Sequence, residues 1–149
     1  MLSISQEIKY RVSYALIELK LNLWWRGPVI REGRTFSGVD AVIDKDLASA
    51  KLAEEVGVDI FLIATDVKRV AINYGKPDQK FLSSMTVNEA DWFLAEGHFP
   101  SGSMGPKIEA AMQFVNKSKK RAVIAFINDI EAAVKGKAGT EFSLCSSPI

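Results

Sequence analysis

The chain is poor in the residues that build covalent or metal-held frameworks. Cys145 is its only cysteine and His98 its only histidine among 149 residues. One cysteine cannot close a disulfide within the chain, so no disulfide framework is expected and a cytoplasmic address is the default. One histidine and one distant cysteine make no metal-ligand set, and no nucleophile–base pair stands out. An excess of one charge is missing too: 19 Lys+Arg against 18 Asp+Glu leave a formal net charge of +1. That balance gives no electrostatic reason to expect nucleic acid or an anionic membrane as a partner. No apolar run approaches the roughly 18 residues of a spanning helix. Glu7, Lys9, Arg11, Glu18 and Lys20 fall where a signal peptide would be continuously apolar.

What is present is an ordinary globular composition, 48% hydrophobic and 25% charged, which excludes wholesale disorder. The length suits one domain, or one half of a larger two-lobed protein. Residues 3–23 read as an amphipathic helix: Ser3 and Gln6 have capping-box spacing, and Ile4, Ile8, Val12, Ala15, Leu16, Leu19 and Leu23 recur at helical intervals. Gly27 and Pro28 break that pattern after Trp24, Trp25 and Arg26. Val29–Arg31 and Arg34–Phe36 form a hairpin pattern around Gly33. Asp44 can cap a helix with Ala48, Leu52, Ala53 and Val56 on one face, ended by Gly57.

Ile60–Ala64 is continuously apolar, as a buried parallel strand requires, and Val70–Tyr74 is a second strand pattern. Thr86 and Glu89 form a capping box before a helix that turns Val87, Ala90, Phe93 and Leu94 inward and stops at Gly97. Pro106 suits a first helical position, Ile108, Ala111, Met112 and Val115 share a face, and the cationic Lys117–Arg121 closes that helix. Ala122–Phe126 reads as the next buried strand, Asp129–Val134 as a short helix and Thr140–Leu144 as a last strand. Strands alternating with helices predict an α/β domain with a mostly parallel sheet and helices on both faces.

In such sheets ligands bind beyond the carboxyl ends of the strands, and three polar clusters fall at such places. Asp44-Lys45-Asp46 opens a helix, where a lysine opposes the dipole; it is either a solvated cap or a cation aimed at a phosphate and held by Asp46. Thr65-Asp66 follows what reads as the most buried strand, and is either a polar turn or a contact to a nucleotide. Gly102-Ser103-Met104-Gly105-Pro106-Lys107 combines glycines, free N–H groups at a helix start and a cation; it is a plain loop or a phosphate cradle. A structural role is the better reading of His98. Two lysines with an organising aspartate suit phosphoryl transfer, which needs positioning and charge neutralisation rather than a protein nucleophile.

Four longer phrases carry a family resemblance. Ala41-Val-Ile-Asp-Lys-Asp-Leu-Ala-Ser49, Asn73-Tyr-Gly-Lys-Pro-Asp-Gln-Lys80, the stretch from Glu96 to Ala111, and Gly136-Lys-Ala-Gly-Thr140 together resemble carbamate kinase, of the amino acid kinase superfamily. The resemblance runs from about Gly27 to about Thr140. It implies a three-layer αβα sandwich, truncated, divided into a non-family N-terminal helix segment (1–26), a carbamate kinase-like C-terminal domain (27–141) and a tail (142–149).

It also implies the reaction of ATP with carbamate to give ADP and carbamoyl phosphate, often run in reverse in arginine metabolism. ATP or ADP with Mg²⁺ is the expected ligand. Lys45 and Lys107 would neutralise the transferring phosphoryl group and Asp46 would orient them. Thr65, Asp66, Tyr74, Gly75 and Lys76 would line the nucleotide pocket, and Ser103, Met104 and Gly105 would meet the phosphates. No protein-held metal site is implied.

The chain is roughly half a family member's length. The other half is expected to hold a further phosphate loop, another catalytic lysine and most of the carbamate site. A separately encoded N-terminal half or a homodimer is therefore the expected partner. The alternatives are a non-catalytic nucleotide-binding remnant and an interaction module built on the N-terminal helix. Lys68 stands where the family usually has an acid. The family also has a glycine run before Pro28-Val29-Ile30. If Arg26 is encoded AGG, the codons for Trp24-Trp25-Arg26-Gly27, shifted by one base, read Gly-Gly-Gly. Residues before about Gly27 are thus expected to be out of frame relative to the ancestral enzyme.

Overall fold

The computed structural model describes residues 29–32, 34–38, 44–99 and 102–145. The expectations for residues 1–26, including the helix over 3–23, lie outside these residues, as do residues 146–149 of the tail expected over 142–149; of its first residues, Phe142 and Ser143 belong to the last strand, with Phe142 fully buried.

The described chain opens with a hairpin, β1 (Val29–Glu32) and β2 (Thr35–Gly38), antiparallel with Glu32 opposite Thr35. Helix α1 (Lys45–Val56) begins as its cap dictates: the Asp44 carboxylate accepts from the backbone N–H groups of Asp46 at 2.8 Å and Leu47 at 3.0 Å. It ends at Gly57, whose φ of 74° takes the left-handed turn that side chains resist. Strand β3 (Ile60–Thr65) follows, then a small antiparallel ribbon of β4 (Ala71–Ile72) and β5 (Lys80–Phe81).

Strand β6 (Ser84–Thr86) leads into α2 (Val87–Ala95) through the expected capping box, with Thr86 and Glu89 bonding each other's backbone N–H. Those bonds hold the Glu89 carboxyl below its ordinary pKa, the Thr86 backbone N–H contributing most and its hydroxyl next. The remaining elements are α3 (Met104–Ser118), β7 (Arg121–Phe126), a 3₁₀ turn (Ile127–Asp129), α4 (Ile130–Val134) and β8 (Thr140–Ser143).

The main sheet has the order β3-β7-β8-β6. β3 and β7 run parallel, from Ile60 opposite Arg121 to Thr65 opposite Phe126, and β6 and β8 are also parallel. β7 and β8 are antiparallel, so the sheet is mixed. On one face Phe61, Ile63, Ile124 and Phe142 meet Ala50 and Ala53 of α1 and Ile108, Ala111, Phe114 and Val115 of α3. On the other, Val123 and Ala125 pack with Ala133 of α4, flanked by Ile60 and Leu62. These are the three layers expected of a helix–sheet–helix sandwich.

Several expectations are corrected. The most buried strand is β7, whose Ala122, Val123, Ile124 and Ala125 are at most 1% exposed, not β3, where Ala64 is exposed. β3 stands at one end of the described sheet with a neighbour on one side, a position its own sequence does not encode. The strand expected over Val70–Tyr74 shrinks to Ala71–Ile72, because Asn73 and Gly75 take positive φ values of 53° and 76° and bend the chain.

Pro106 is the third helical residue, not the first. It is tolerated there because first-turn N–H groups have no intrahelical acceptor. Lys117–Arg121 does not close α3 as a unit. The helix ends at Ser118, Lys119 caps it at φ 60°, and Arg121 opens β7, where it pairs with Glu141 at 2.7 Å. Lys120 reaches back to the Gly57 carbonyl and the Asp59 carboxylate, both at 3.0 Å.

A buried hydroxyl joins the ribbon to the sheet. Thr140 is fully buried; its Oγ1 accepts from the Val70 N–H at 2.9 Å and donates to the Leu82 carbonyl at 2.6 Å. His98 packs edge-on against Phe93, with ring centroids 5.3 Å apart, in line with its structural reading.

Candidate functional site

The N-termini of α1 and α3 and the carboxyl end of β3 converge on one cleft of about 390 Å³. Its wall takes Asp44, Lys45 and Asp46 from the start of α1, Thr65, Asp66, Val67 and Arg69 from the end of β3 and the turn after it, and Ala71 and Tyr74 from the ribbon. Phe99, Gly102, Ser103, Met104, Pro106 and Lys107 close it from the loop into α3. The polar clusters that lie far apart in sequence therefore share one surface.

Asp46 is the organising group. It is 6% exposed, and a carboxylate so enclosed needs cationic partners. Lys107, 61 positions away, donates to its Oδ2 at 2.8 Å. The Lys45 Nζ stands 3.7 Å from the same oxygen. The Lys107 side chain is 16% exposed and that of Lys45 66%, so one ammonium is locked in place while the other reaches into the opening. Two lysines on one carboxylate give this cluster one net positive charge. The Asp44 carboxylate, by contrast, is occupied in capping α1. Ser103 stands at the start of α3 without capping it through its hydroxyl, and among the described residues no side chain bonds the first-turn N–H groups of that helix.

Thr65 donates its hydroxyl to Asp66 at 3.1 Å, fixing the turn that ends β3. Tyr74 is 64% exposed at the rim. Behind it the loop is tightly built: Asn73 Nδ2 donates to Asp78 at 2.6 Å, the Gly75 N–H to Gln79 Oε1 at 2.9 Å, and the Lys76 N–H to the Asn73 carbonyl at 3.0 Å.

Lys45, Asp46, Lys107, Thr65, Asp66, Tyr74, Ser103 and Met104 thus meet in the cleft, as the sequence suggested. Gly75, Lys76 and Gly105 are not among its lining residues: the first two complete the turn that begins at Asn73 and Tyr74, and Gly105 is buried in the first turn of α3. Sequence reasoning missed Arg69, Val67, Ala71 and Phe99. Ala71 and Phe99 look like core in any pattern, and Arg69 looks like one more surface cation. Among the described residues no group of three or more His, Cys, Asp or Glu side chains is placed to hold a metal ion.

The amino acid kinase family model matches residues 6–125. The carbamate kinase of Thermococcus kodakarensis is 56% identical over 114 residues, covering 76% of this chain and 36% of that protein. The carbamate kinase of Pyrococcus horikoshii is 48% identical over the same shares. Among solved structures, carbamate kinase from Giardia lamblia bound to AMP-PNP superposes with a TM-score of 0.74 at 42% identity, covering 78% of this chain and 37% of that one. The chain therefore spans little more than a third of the length of the relatives it matches.

Proposed function

This chain belongs to the amino acid kinase family, and from that premise we propose that its cleft binds the phosphate chain of ATP or ADP, as the nucleotide-binding half of a carbamate kinase-like phosphotransferase. The observation that carries the reading is the pairing of Lys107 and Lys45 with the enclosed Asp46, at the mouth of a cleft where two helices begin. Phosphoryl transfer spreads negative charge over the moving group and its leaving oxygen, and preorganised cations lower that barrier most. Lys45 and Lys107 supply them, and Asp46 sets their positions. Ser103, Met104 and Gly105 offer first-turn N–H groups to the phosphates. Tyr74, with Gly75 and Lys76 behind it, borders the nucleoside side, and Thr65 and Asp66 form the floor. The substrates are the nucleotide and carbamate or carbamoyl phosphate.

A Mg²⁺ ion fits this site on the nucleotide rather than on the protein. Asp46 is engaged by lysines and Asp44 by backbone N–H groups, so the ion would be held chiefly by phosphate oxygens, where it neutralises charge.

In-line transfer needs both reactants clamped. The residues that match 36% of a relative's length supply one side of that clamp, and turnover needs the other side as well. The alternative raised by the sequence, a nucleotide-binding remnant without catalysis, shares the same nucleotide site. Calorimetric titration of the folded chain with Mg²⁺ and ATP tests the shared premise: binding heat is expected, and none at millimolar nucleotide refutes it. ATP synthesis from carbamoyl phosphate and ADP separates the two readings. These 149 residues alone should show none, and turnover on supplying the region that only the longer relatives have would identify the enzyme.

A further inference from the structure

The cations of the cleft are not equivalent. Lys107 and Lys45 share the Asp46 carboxylate, at 2.8 and 3.7 Å. Arg69 lines the same cleft, yet among the described residues it makes neither an ion pair nor a hydrogen bond. Acids are close by, but each is engaged elsewhere: Asp44 caps α1, Asp46 holds the lysines, and Asp66 accepts from the Thr65 hydroxyl.

The base of the Arg69 side chain is nonetheless well fixed. The next residue, Val70, is fully buried with its N–H bound to Thr140 Oγ1 at 2.9 Å, and Ala71 is paired with Phe81 in the ribbon. The backbone is anchored while the guanidinium stays exposed at the cleft wall. A guanidinium is charged at every working pH and presents its donors as a planar fork that matches two phosphate oxygens at once, which an ammonium cannot do.

We propose that Arg69 is a phosphate-binding residue of this cleft: its guanidinium, unpaired among the described residues, grips the polyphosphate chain of the nucleotide bidentately, beside Lys45 and Lys107. The proposal rests on the nucleotide reading given above and adds a contact to it. Lys68, adjacent and of the same charge, is exposed but does not line the cleft, so it separates a direct contact from a general change of field.

The experiment is calorimetric titration of the full chain and its Arg69→Gln, Arg69→Lys and Lys68→Gln variants with ATP, adenosine and inorganic tripolyphosphate at fixed ionic strength. Circular dichroism confirms that each exposed-site variant is folded. Arg69→Gln should weaken ATP and tripolyphosphate about tenfold or more, as loss of a charge-assisted contact does, and leave adenosine unchanged. Arg69→Lys should recover part of the loss, and Lys68→Gln should stay near wild type. Wild-type affinity in Arg69→Gln, or equal losses in Arg69→Gln and Lys68→Gln, overturns the proposal. Tripolyphosphate binding that depends on Arg69, in a chain that takes up no ATP, would overturn the nucleotide reading and keep the anion contact. A chain that binds neither overturns both.

Discussion

Replacing Thr140 with valine keeps the side chain's shape and removes its hydroxyl. In the native chain that hydroxyl makes two bonds, accepting from the Val70 N–H and donating to the Leu82 carbonyl. Thr140 and Val70 are fully buried, so no water can take over at the N–H. Each orphaned buried backbone group costs roughly 1–3 kcal/mol. Leu82 is only partly buried, and its carbonyl can relax toward solvent, so its share falls at the low end. The added methyl returns about 0.8 kcal/mol or less. The net destabilisation is about 1–3 kcal/mol, a sizeable part of the roughly 5–15 kcal/mol that a domain possesses.

Urea unfolding should show the midpoint falling with the slope unchanged. Thr140→Ser is the decisive comparison, because it keeps the hydroxyl and leaves a methyl-sized gap. If the hydrogen bonds dominate, serine is the milder change; if packing dominates, valine is. Serine proving the more damaging of the two would refute the reasoning. The consequence reaches the cleft, since the Thr140 bonds tie down the ribbon that carries Ala71 and Tyr74, so Thr140→Val should also weaken nucleotide binding.

Lys107→Ala should cost ATP roughly 1.5–3 kcal/mol of binding and adenosine little, as seen by calorimetry; equal losses for both would make Lys107 structural. Gly139→Ala should destabilise strongly in urea unfolding. The residue holds φ at 84°, and an added Cβ would come within 2.8 Å of the Ile124 carbonyl oxygen and 2.9 Å of Ala125, where the backbone of β7 cannot yield. An unchanged midpoint would contradict that. Glu89 has a depressed carboxyl pKa in the folded chain, so its contribution is fully present above the ordinary carboxylate range and is lost as pH falls through the lowered folded value. Glu89→Gln should therefore lose most stability near neutral pH and converge with wild type in acid, which unfolding midpoints measured across that range would show.

The features legible in the sequence are those decided within a few residues. The Asp44 cap, the Thr86–Glu89 box and the left-handed Gly57 all depend on groups at most four positions apart, and all formed as read. The polar clusters at strand ends were legible too, because an α/β chain brings the carboxyl ends of its parallel strands to one edge.

Tertiary structure decided the rest. β3 and β7 are runs of equal length, and nothing in either says which one has neighbours on both sides; pairing made β7 central and left β3 at an end of the described sheet. The antiparallel β8 follows from the path of the chain after α4, not from its own residues. Asp46 and Lys107 are 61 positions apart, and only the packing of α1 against α3 joins them. Arg69 gave no signal at all. Its place depends on Thr140 holding the Val70 N–H, a bond between residues 70 apart, and on the cleft's described carboxylates, Asp44, Asp46 and Asp66, already having partners. Local chemistry is written in local sequence; which charges are left free to meet a ligand is known only once the chain has folded and the others are paired.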